Sequence, residues 1–583
     1  MRVLRRRAPA LACSAAGAAL LAAAAPAAGA RPLTIEEARS QMAAGRLRSV
    51  DLVRRYLARI RWQGTRLAPV LAVDAAGALA EARRLDAERA AGRLRGPLHG
   101  IPVALKDVIQ TRRLPTTGGA LAFRGLRAPE AATLVQRLRA AGAIILAKTT
   151  LTELGNWVSD TMPNGFNALA GHSASPYDPR RDPRPGFADG RALMDPGGSS
   201  SGVGTAAGLW AASVGAETSG SIQIPSVLNS LVGNKPTVGR ISRHGVIPIT
   251  RDQDTPGPMA RSVADAALLL GVMEGFDPHD PATAVCPVSP SGTYREALRA
   301  DGLRGRRIGL PTAWFHEPLR LPGDASPSGG LDAGRRALME RAIAVLERLG
   351  AEVVRGTDLP SVVSRQAGEN VLKFPACSGA RDGRGNDQDC SVVLKYGMKR
   401  DFNAWLARLG PAAPVRSLTA LRQFNLEHRA RAIPYGQVQL DNSDAMDPLT
   451  DGRRYAADRA RDLRLSRDQG LDAALRSARL DALLFPGWSA ESIVNKAGYP
   501  AVVVPIGSLP VRLDPPLPAG NAPPGPEPWG MSLVAPPCSE ALLIAMAYAY
   551  EQAAGGRVEP PLASRSPTDP SSSPSSGRSP QRP

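Results

Sequence analysis

Gly100-Ile-Pro-Val-Ala-Leu-Lys106-Asp107 is the stretch from which the fold is read. Its apolar run from Ile101 to Leu105 has the length of a buried strand and stops on two charges. A helix is expected over 131–141 and a second apolar strand over 143–147, so the unit reads strand, helix, strand. Upstream, Thr34-Ile-Glu-Glu37 is a capping box that opens a helix. Leu52, Val53, Tyr56, Leu57 and Ile60 then share one face of the next helix, and a third spans 75–91. Downstream, short apolar strands at 307–310, 480–485 and 501–504 alternate with helices over 334–349 and 540–553. The expectation is an α/β protein, a single large domain with a mixed central β-sheet covered by helices.

The chain has 583 residues, 43% of them hydrophobic, enough for a large core. Its 58 glycines and 53 prolines follow no period, which excludes collagen-like and simple repeat architectures. A net charge of +19 invites a nucleic-acid reading. Part of that charge sits at the two ends of the chain. The rest is spread without a dense basic run, and aromatics make up only 4%, so no nucleic-acid partner is expected. Only seven of the 72 basic residues are lysine, which makes each lysine worth reading individually.

Arg2, Arg5, Arg6 and Arg7 precede an Ala/Leu-rich run and then Ala28-Gly-Ala30, the pattern of a signal peptide over 1–30 cleaved before Arg31. Secretion or periplasmic export follows, with no membrane span after cleavage. The Pro/Ser-rich tail over 564–583 is expected to be disordered, leaving one domain over 31–563. Cys377 and Cys390 bracket a Gly/Asp/Arg-rich loop and are expected to form a disulfide in an oxidising compartment. Cys286 and Cys538 are expected as free buried thiols. No cysteine has metal-ligand spacing, so no metal site is expected. Stretches 176–196 and 511–528 read as Pro/Gly-rich surface loops.

The chemistry concentrates in Pro196-Gly-Gly-Ser-Ser-Ser-Gly202-Val-Gly204 and Gly215-Ala-Glu-Thr-Ser-Gly-Ser221-Ile-Gln-Ile-Pro225. Glycine beside serine gathers backbone N–H groups next to a hydroxyl, the combination a nucleophile and an oxyanion hole require. Three rival motifs overlap these stretches. Gly202-Val-Gly204-Thr-Ala-Ala-Gly208 mimics a dinucleotide loop but lacks a preceding strand and a ribose-binding acid. Gly142 with Lys148-Thr149 lacks the second glycine of a P-loop. Gly198-Ser-Ser200-Ser-Gly202 fits a nucleophile elbow, and Gly171-His-Ser173-Ala-Ser175 nearly does, but that chemistry needs a histidine and none has a distinctive setting.

These residues resemble the amidase signature family. The resemblance is carried by Gly100 to Asp107, the triple-serine run, Gly215 to Ile222, Gly233-Asn-Lys-Pro-Thr237-Val-Gly239, Asp254-Thr-Pro-Gly-Pro-Met-Ala-Arg261-Ser-Val-Ala-Asp265 and Ala497-Gly-Tyr-Pro-Ala-Val-Val-Val-Pro505. The triple serine and Arg431-Ala-Ile-Pro-Tyr-Gly-Gln437 are similar to its peptide-amidase-like branch. The resemblance implies a Ser–Ser–Lys triad with Ser221 as nucleophile, Ser199 as bridging serine and Lys106 as base. It also implies an oxyanion hole from the N–H groups of Thr218, Ser219, Gly220 and Ser221. Lys106 ends an apolar strand, where desolvation lowers its pKa and lets a neutral amine accept a proton. The bland alternative is a lysine paired with Asp107.

Ser200 is the fallback for the bridging role. Val108, Thr150 and Ser219 depart from the family's usual residues. Tyr435 and Gln437 are candidates for the acyl side of the site, and a core tyrosine is an equal reading. The function this implies is a secreted amide hydrolase acting on a small-molecule or peptide amide through an acyl-enzyme, with no metal and no cofactor expected. The alternatives are a catalytically weakened binding protein and an amidotransferase subunit that works with partners.

Overall fold

The computed structural model describes residues 31–561; the expected signal peptide and the tail over 564–583 lie outside the described residues. Eleven strands form one sheet: β1 (Val70–Val73), β2 (Pro102–Lys106), β3 (Ile144–Thr149), β4 (Ala212–Glu217), β5 (Val232–Lys235), β6 (Thr255–Ala260), β7 (Arg307–Leu310), β8 (Glu352–Arg355), β9 (Ala482–Pro486), β10 (Ala501–Pro510) and β11 (Pro526–Val534). Their order across the sheet is β1-β3-β2-β4-β6-β5-β10-β11-β9-β7-β8. Strands β3, β2 and β4 run parallel, as do β9, β7 and β8; the remaining pairs are antiparallel. The sheet is therefore mixed and helix-covered, as the alternation of elements implied.

Each parallel step is made by a crossover. Between β2 and β3 the crossover contains the helix Thr133–Ala140, whose Leu134, Val135 and Leu138 are buried. The Val263–Met273 helix is apolar almost all round and is buried as an internal element. Its Asp265 accepts the Ile35 N–H at the start of the Thr34-capped helix. The parallel trio β3, β2 and β4 ends with Thr149, Lys106 and Glu217, so their carboxyl ends open onto one crevice edge, where open α/β sheets place their sites.

Cys377 and Cys390 are disulfide-bonded, as expected. Cys286 and Cys538 correct the reading: they too are bonded, across a sequence separation of 252. Spacing along the chain holds no trace of that pair, because the fold brings together a loop after Val263–Met273 and the approach to the last helix, Glu540–Ala554. The two Pro/Gly-rich stretches are surface loops only in part: 176–196 is irregular but partly buried, and 511–528 runs into a strand. Tyr177, Asp178, Asp182 and Arg184 are buried, and residues 526–528 already belong to β11.

Candidate active site

Lys106 is the last residue of β2 and is fully buried. Register places Leu105 opposite Val214 on β4, so the lysine reaches across the end of that strand and its Nζ donates to the Ala216 carbonyl at 2.7 Å. Burial pushes the amine down to about 7, against the opposing pull of Glu217 and Asp254. Asp107 does not pair with it. That carboxylate turns the other way, to Lys148 Nζ at 2.7 Å, and accepts the Thr117 N–H at 2.9 Å. Lys148 is thus the structural lysine of the pair, and Lys106 has no carboxylate in contact among the described residues.

Where β4 ends, the chain turns through Thr218, Ser219, Gly220 and Ser221 into the short helix Gln223–Leu228. Glu217 holds the turn shut. Its buried carboxylate accepts the N–H groups of Ile222 (2.7 Å) and Gln223 (2.9 Å) and the side-chain amides of Gln223 (2.6 Å) and Asn495 (2.8 Å). With the turn so fixed, the N–H groups of Ser219, Gly220 and Ser221 have no acceptor among the described residues. Gly220 has φ +94°, and a Cβ there would strike Ile224, so the position requires glycine. Ser221 is half-buried, and its Oγ lies 3.1 Å from where a Cβ on Gly198 would stand. The second glycine of the triple-serine stretch is therefore the floor under the Ser221 hydroxyl.

That stretch is stitched to the end of β3. Thr152 N–H donates to Gly198 O at 3.2 Å, Ser200 N–H donates to Thr150 O at 3.1 Å, and Ser199 bridges Leu151. Ser199 then occupies the N-cap position of the buried helix Ser200–Ala206, its side chain making no cap bond. The three serines differ in one decisive respect. Ser200 Oγ donates to Ser173 Oγ at 2.9 Å and Ser201 Oγ shares a hydrogen bond with Thr149 Oγ1 at 2.7 Å, whereas the fully buried Ser199 Oγ has no partner among the described residues. A buried hydroxyl left unpaired costs about 1–3 kcal/mol; Ser226 and Ser361 are in the same state elsewhere in the fold.

The elbow reading fails on the same geometry. Ser173 and Ser200 bond each other, and none of the six histidines bonds Ser173, Ser200 or Ser221 among the described residues: His244 stacks on His279, and His172 meets Tyr435. Gln437 is buried and accepts from Asn425 at 3.1 Å, a structural role. Tyr435 is half-buried, with its hydroxyl on Asp189 at 2.7 Å and its ring against Phe166.

Sequence reasoning missed two acidic groups at the site. Asp254 accepts the Thr218 hydroxyl on Oδ1 and the N–H groups of Ile249 (2.9 Å) and Thr250 (3.0 Å) on Oδ2, and burial pushes it up to about 7. Glu491, at the start of the helix Glu491–Ala497, lies against Gly220, and burial pushes it too up to about 7. Isolated acids far apart in sequence carry no spacing signal, although Asp254 opens one of the motifs quoted above.

A family model for amidases matches residues 51–366. The chain is 32% identical over 528 residues to an Arabidopsis thaliana protein described as a probable amidase, covering 89% of this chain and 90% of that one. Against a glutamyl-tRNA(Gln) amidotransferase subunit of Anaeromyxobacter sp. strain K, identity is 39% over 324 residues, covering 55% of this chain and 59% of that one. Among solved structures, the native peptide amidase of Stenotrophomonas maltophilia superposes with TM-score 0.74 at 36% identity, over 90% of this chain and 98% of that one. A peptide amidase in complex with the competitive inhibitor chymostatin superposes with TM-score 0.75, at the same identity and coverage.

Proposed function

The chain belongs to the amidase family, and from that membership we propose that it cleaves the C–N bond of a small-molecule or peptide carboxamide through a Ser–Ser–Lys triad and an acyl-enzyme. Ser221 Oγ attacks the carbonyl carbon while its proton passes through Ser199 to the neutral amine of Lys106. The oxyanion of the tetrahedral intermediate is held by the N–H groups of the 218–221 turn, where loss of one donor raises the barrier by about 3–4 kcal/mol. As the C–N bond breaks, Lys106 returns the proton through Ser199 to the leaving nitrogen. Water then repeats the sequence on the acyl-enzyme, giving its proton to Lys106, releasing the acid and restoring the Ser221 hydroxyl.

The observations that carry this reading are a fully buried lysine that bonds the Ala216 carbonyl and, among the described residues, no carboxylate, and a triple serine in which the Ser199 hydroxyl is the one with no partner among the described residues; the Ser199–Lys106 contact itself is part of the proposal. The peptide amidase bound by chymostatin supports a peptide amide as substrate. Export through the N-terminal signal belongs to the same proposal, and two disulfides suit an oxidising compartment.

The test is reaction with a serine-directed fluorophosphonate, read by intact mass, alongside a screen of C-terminally amidated peptides, aryl amides and fatty amides. A single adduct on wild type, absent from Ser221→Ala, is expected, together with turnover of at least one amide class. A protein that takes no adduct and turns over nothing is the weakened binding protein instead. Turnover of free amides only with partner subunits present would mark an amidotransferase component.

A further inference from the structure

Lys106 lines a cavity of about 20 Å³, room for one water molecule. Its polar wall is formed by Lys106, Glu217, Thr218, Arg243, Asp254 and Thr255, and its apolar wall includes Val246 and Ile249. Of the two acids, Glu217 is fully engaged in closing the nucleophile turn. Asp254 differs, because its three hydrogen bonds join separate parts of the site: Oδ1 takes the hydroxyl of Thr218, and Oδ2 takes the backbone of Ile249 and Thr250. Beyond Asp254 lies a second cavity, of about 230 Å³, which shares Arg243, Val246 and Asp254 with the first. The carboxylate therefore stands, with Arg243 and Val246, between the lysine's cavity and a larger outer one.

We propose that Asp254 is a positioning residue for this site: through the Thr218 hydroxyl it fixes the turn that carries Ser221, and across the cavity it presents a negative charge to Lys106. The proposal rests on Lys106 acting as the base. A negative charge there favours the ammonium, offsetting part of the desolvation that drives the lysine to the neutral form. The charged and titratable groups that line the two cavities with Asp254 are Lys106 and Glu217 on the sheet, Arg243, His244 and Arg251 on the loop around Ile249, His279 and Asp280 after the helix Val263–Met273, and Asp401 and Arg408 on the helix Val393–Leu409. Arg243 favours the Asp254 carboxylate and Asp401 opposes it. Lys106 and Asp254 both titrate near neutrality, so the acid limb of the rate belongs to the pair.

The test is the pH profile of kcat and kcat/KM for Asp254→Asn, with thermal unfolding as the fold control. Removing the charge lets Lys106 lose its proton at lower pH, so the midpoint of the acid limb should fall by about one pH unit. A purely structural residue would lower activity or stability and leave that midpoint in place, which would overturn the proposal. Thr218→Val supplies the second arm and decides the matter if Asp254→Asn does not fold. It keeps the charge and the two backbone bonds but removes the link to the turn, so kcat should fall about tenfold with the acid limb unmoved; wild-type kcat in this variant would refute the link. If instead wild type itself has no acid limb near neutrality, or Lys106→Ala keeps its turnover, it is the lysine mechanism that fails.

Discussion

Holding an amine in a dry interior costs stability, and Lys106 shows what the cost secures. Its pKa falls from 10.5 unfolded to about 7 folded, so between these values the unfolded chain binds more protons than the native one. Stability therefore rises with pH across that window, and the penalty is present in full below pH 7. Lys106→Met should unfold at higher temperature than wild type at neutral pH, with the advantage shrinking as pH approaches 10.5. Equal melting temperatures for the two proteins across that range would contradict the burial argument. In activity the sign is the same, because the neutral amine is the working form. The rate should climb with pH through about 7 and flatten above it, and Lys106→Ala and Ser221→Ala should each lose at least about 10³-fold in kcat. Ser199→Ala should keep a small residue of turnover, since water can carry a relayed proton less well. Ser200→Ala, which breaks only the bond to Ser173, should stay within about tenfold of wild type in kcat. A Ser200 variant worse than the Ser199 variant would exchange their roles.

Among the elements, the turn and its floor matter most. Gly198 carries no catalytic group, yet a Cβ at that position would stand 3.1 Å from Ser221 Oγ. Gly198→Ala should therefore lower kcat by about 10- to 100-fold through misplacement of the hydroxyl, with the unfolding temperature little changed; a fully active variant would show that the floor is soft. How far such elements can be read in advance depends on whether a local signal survives. The strands at 102–106 and 144–149 and the helix between them were legible because a continuous apolar run bounded by charge or glycine is a local pattern. Strand β6 was not, because Thr255-Pro-Gly-Pro-Met-Ala has two prolines and a glycine in place of a continuous apolar run. Its prolines are tolerated because β5 pairs only with Met259 and Ala260, leaving Pro256 and Pro258 unpaired on that side. Gly257 fits there for a related reason, since a Cβ would strike the carbonyl of Asn234. The site was legible as serines, glycines and one lysine in motifs, but not as Asp254 and Glu491, whose place depends on which distant elements pack together.

At the scale of the molecule, one sheet ties residues 70 to 534 into a single core, and the two disulfides act on it very differently. Cys377–Cys390 closes a loop with a sequence separation of 13 inside a small cluster with Val392, Tyr396 and Met446. Cys286–Cys538 spans a separation of 252 and joins the segment after the buried Val263–Met273 helix to the start of the last helix. At that same junction, Thr237 accepts the Cys538 N–H at 2.9 Å, and Glu540 accepts the Thr237 N–H at 2.8 Å. The bridge thus clamps β5's continuation, the outer loop and the C-terminal helix at one point. Chain entropy makes the contrast quantitative: the longer link is worth about 5 kcal/mol and the shorter about 3 kcal/mol if both are unstrained. Replacing Cys286 and Cys538 by serine should therefore lower the denaturant midpoint more than replacing Cys377 and Cys390, with the catalytic constants of the folded fraction unchanged in both. The measurement is an equilibrium denaturation series under non-reducing conditions on the two double variants. If the Cys377/Cys390 variant proves the weaker, the small loop carries native contacts that outweigh closure entropy, and the clamp at Thr237 and Glu540 holds without its sulfur bridge.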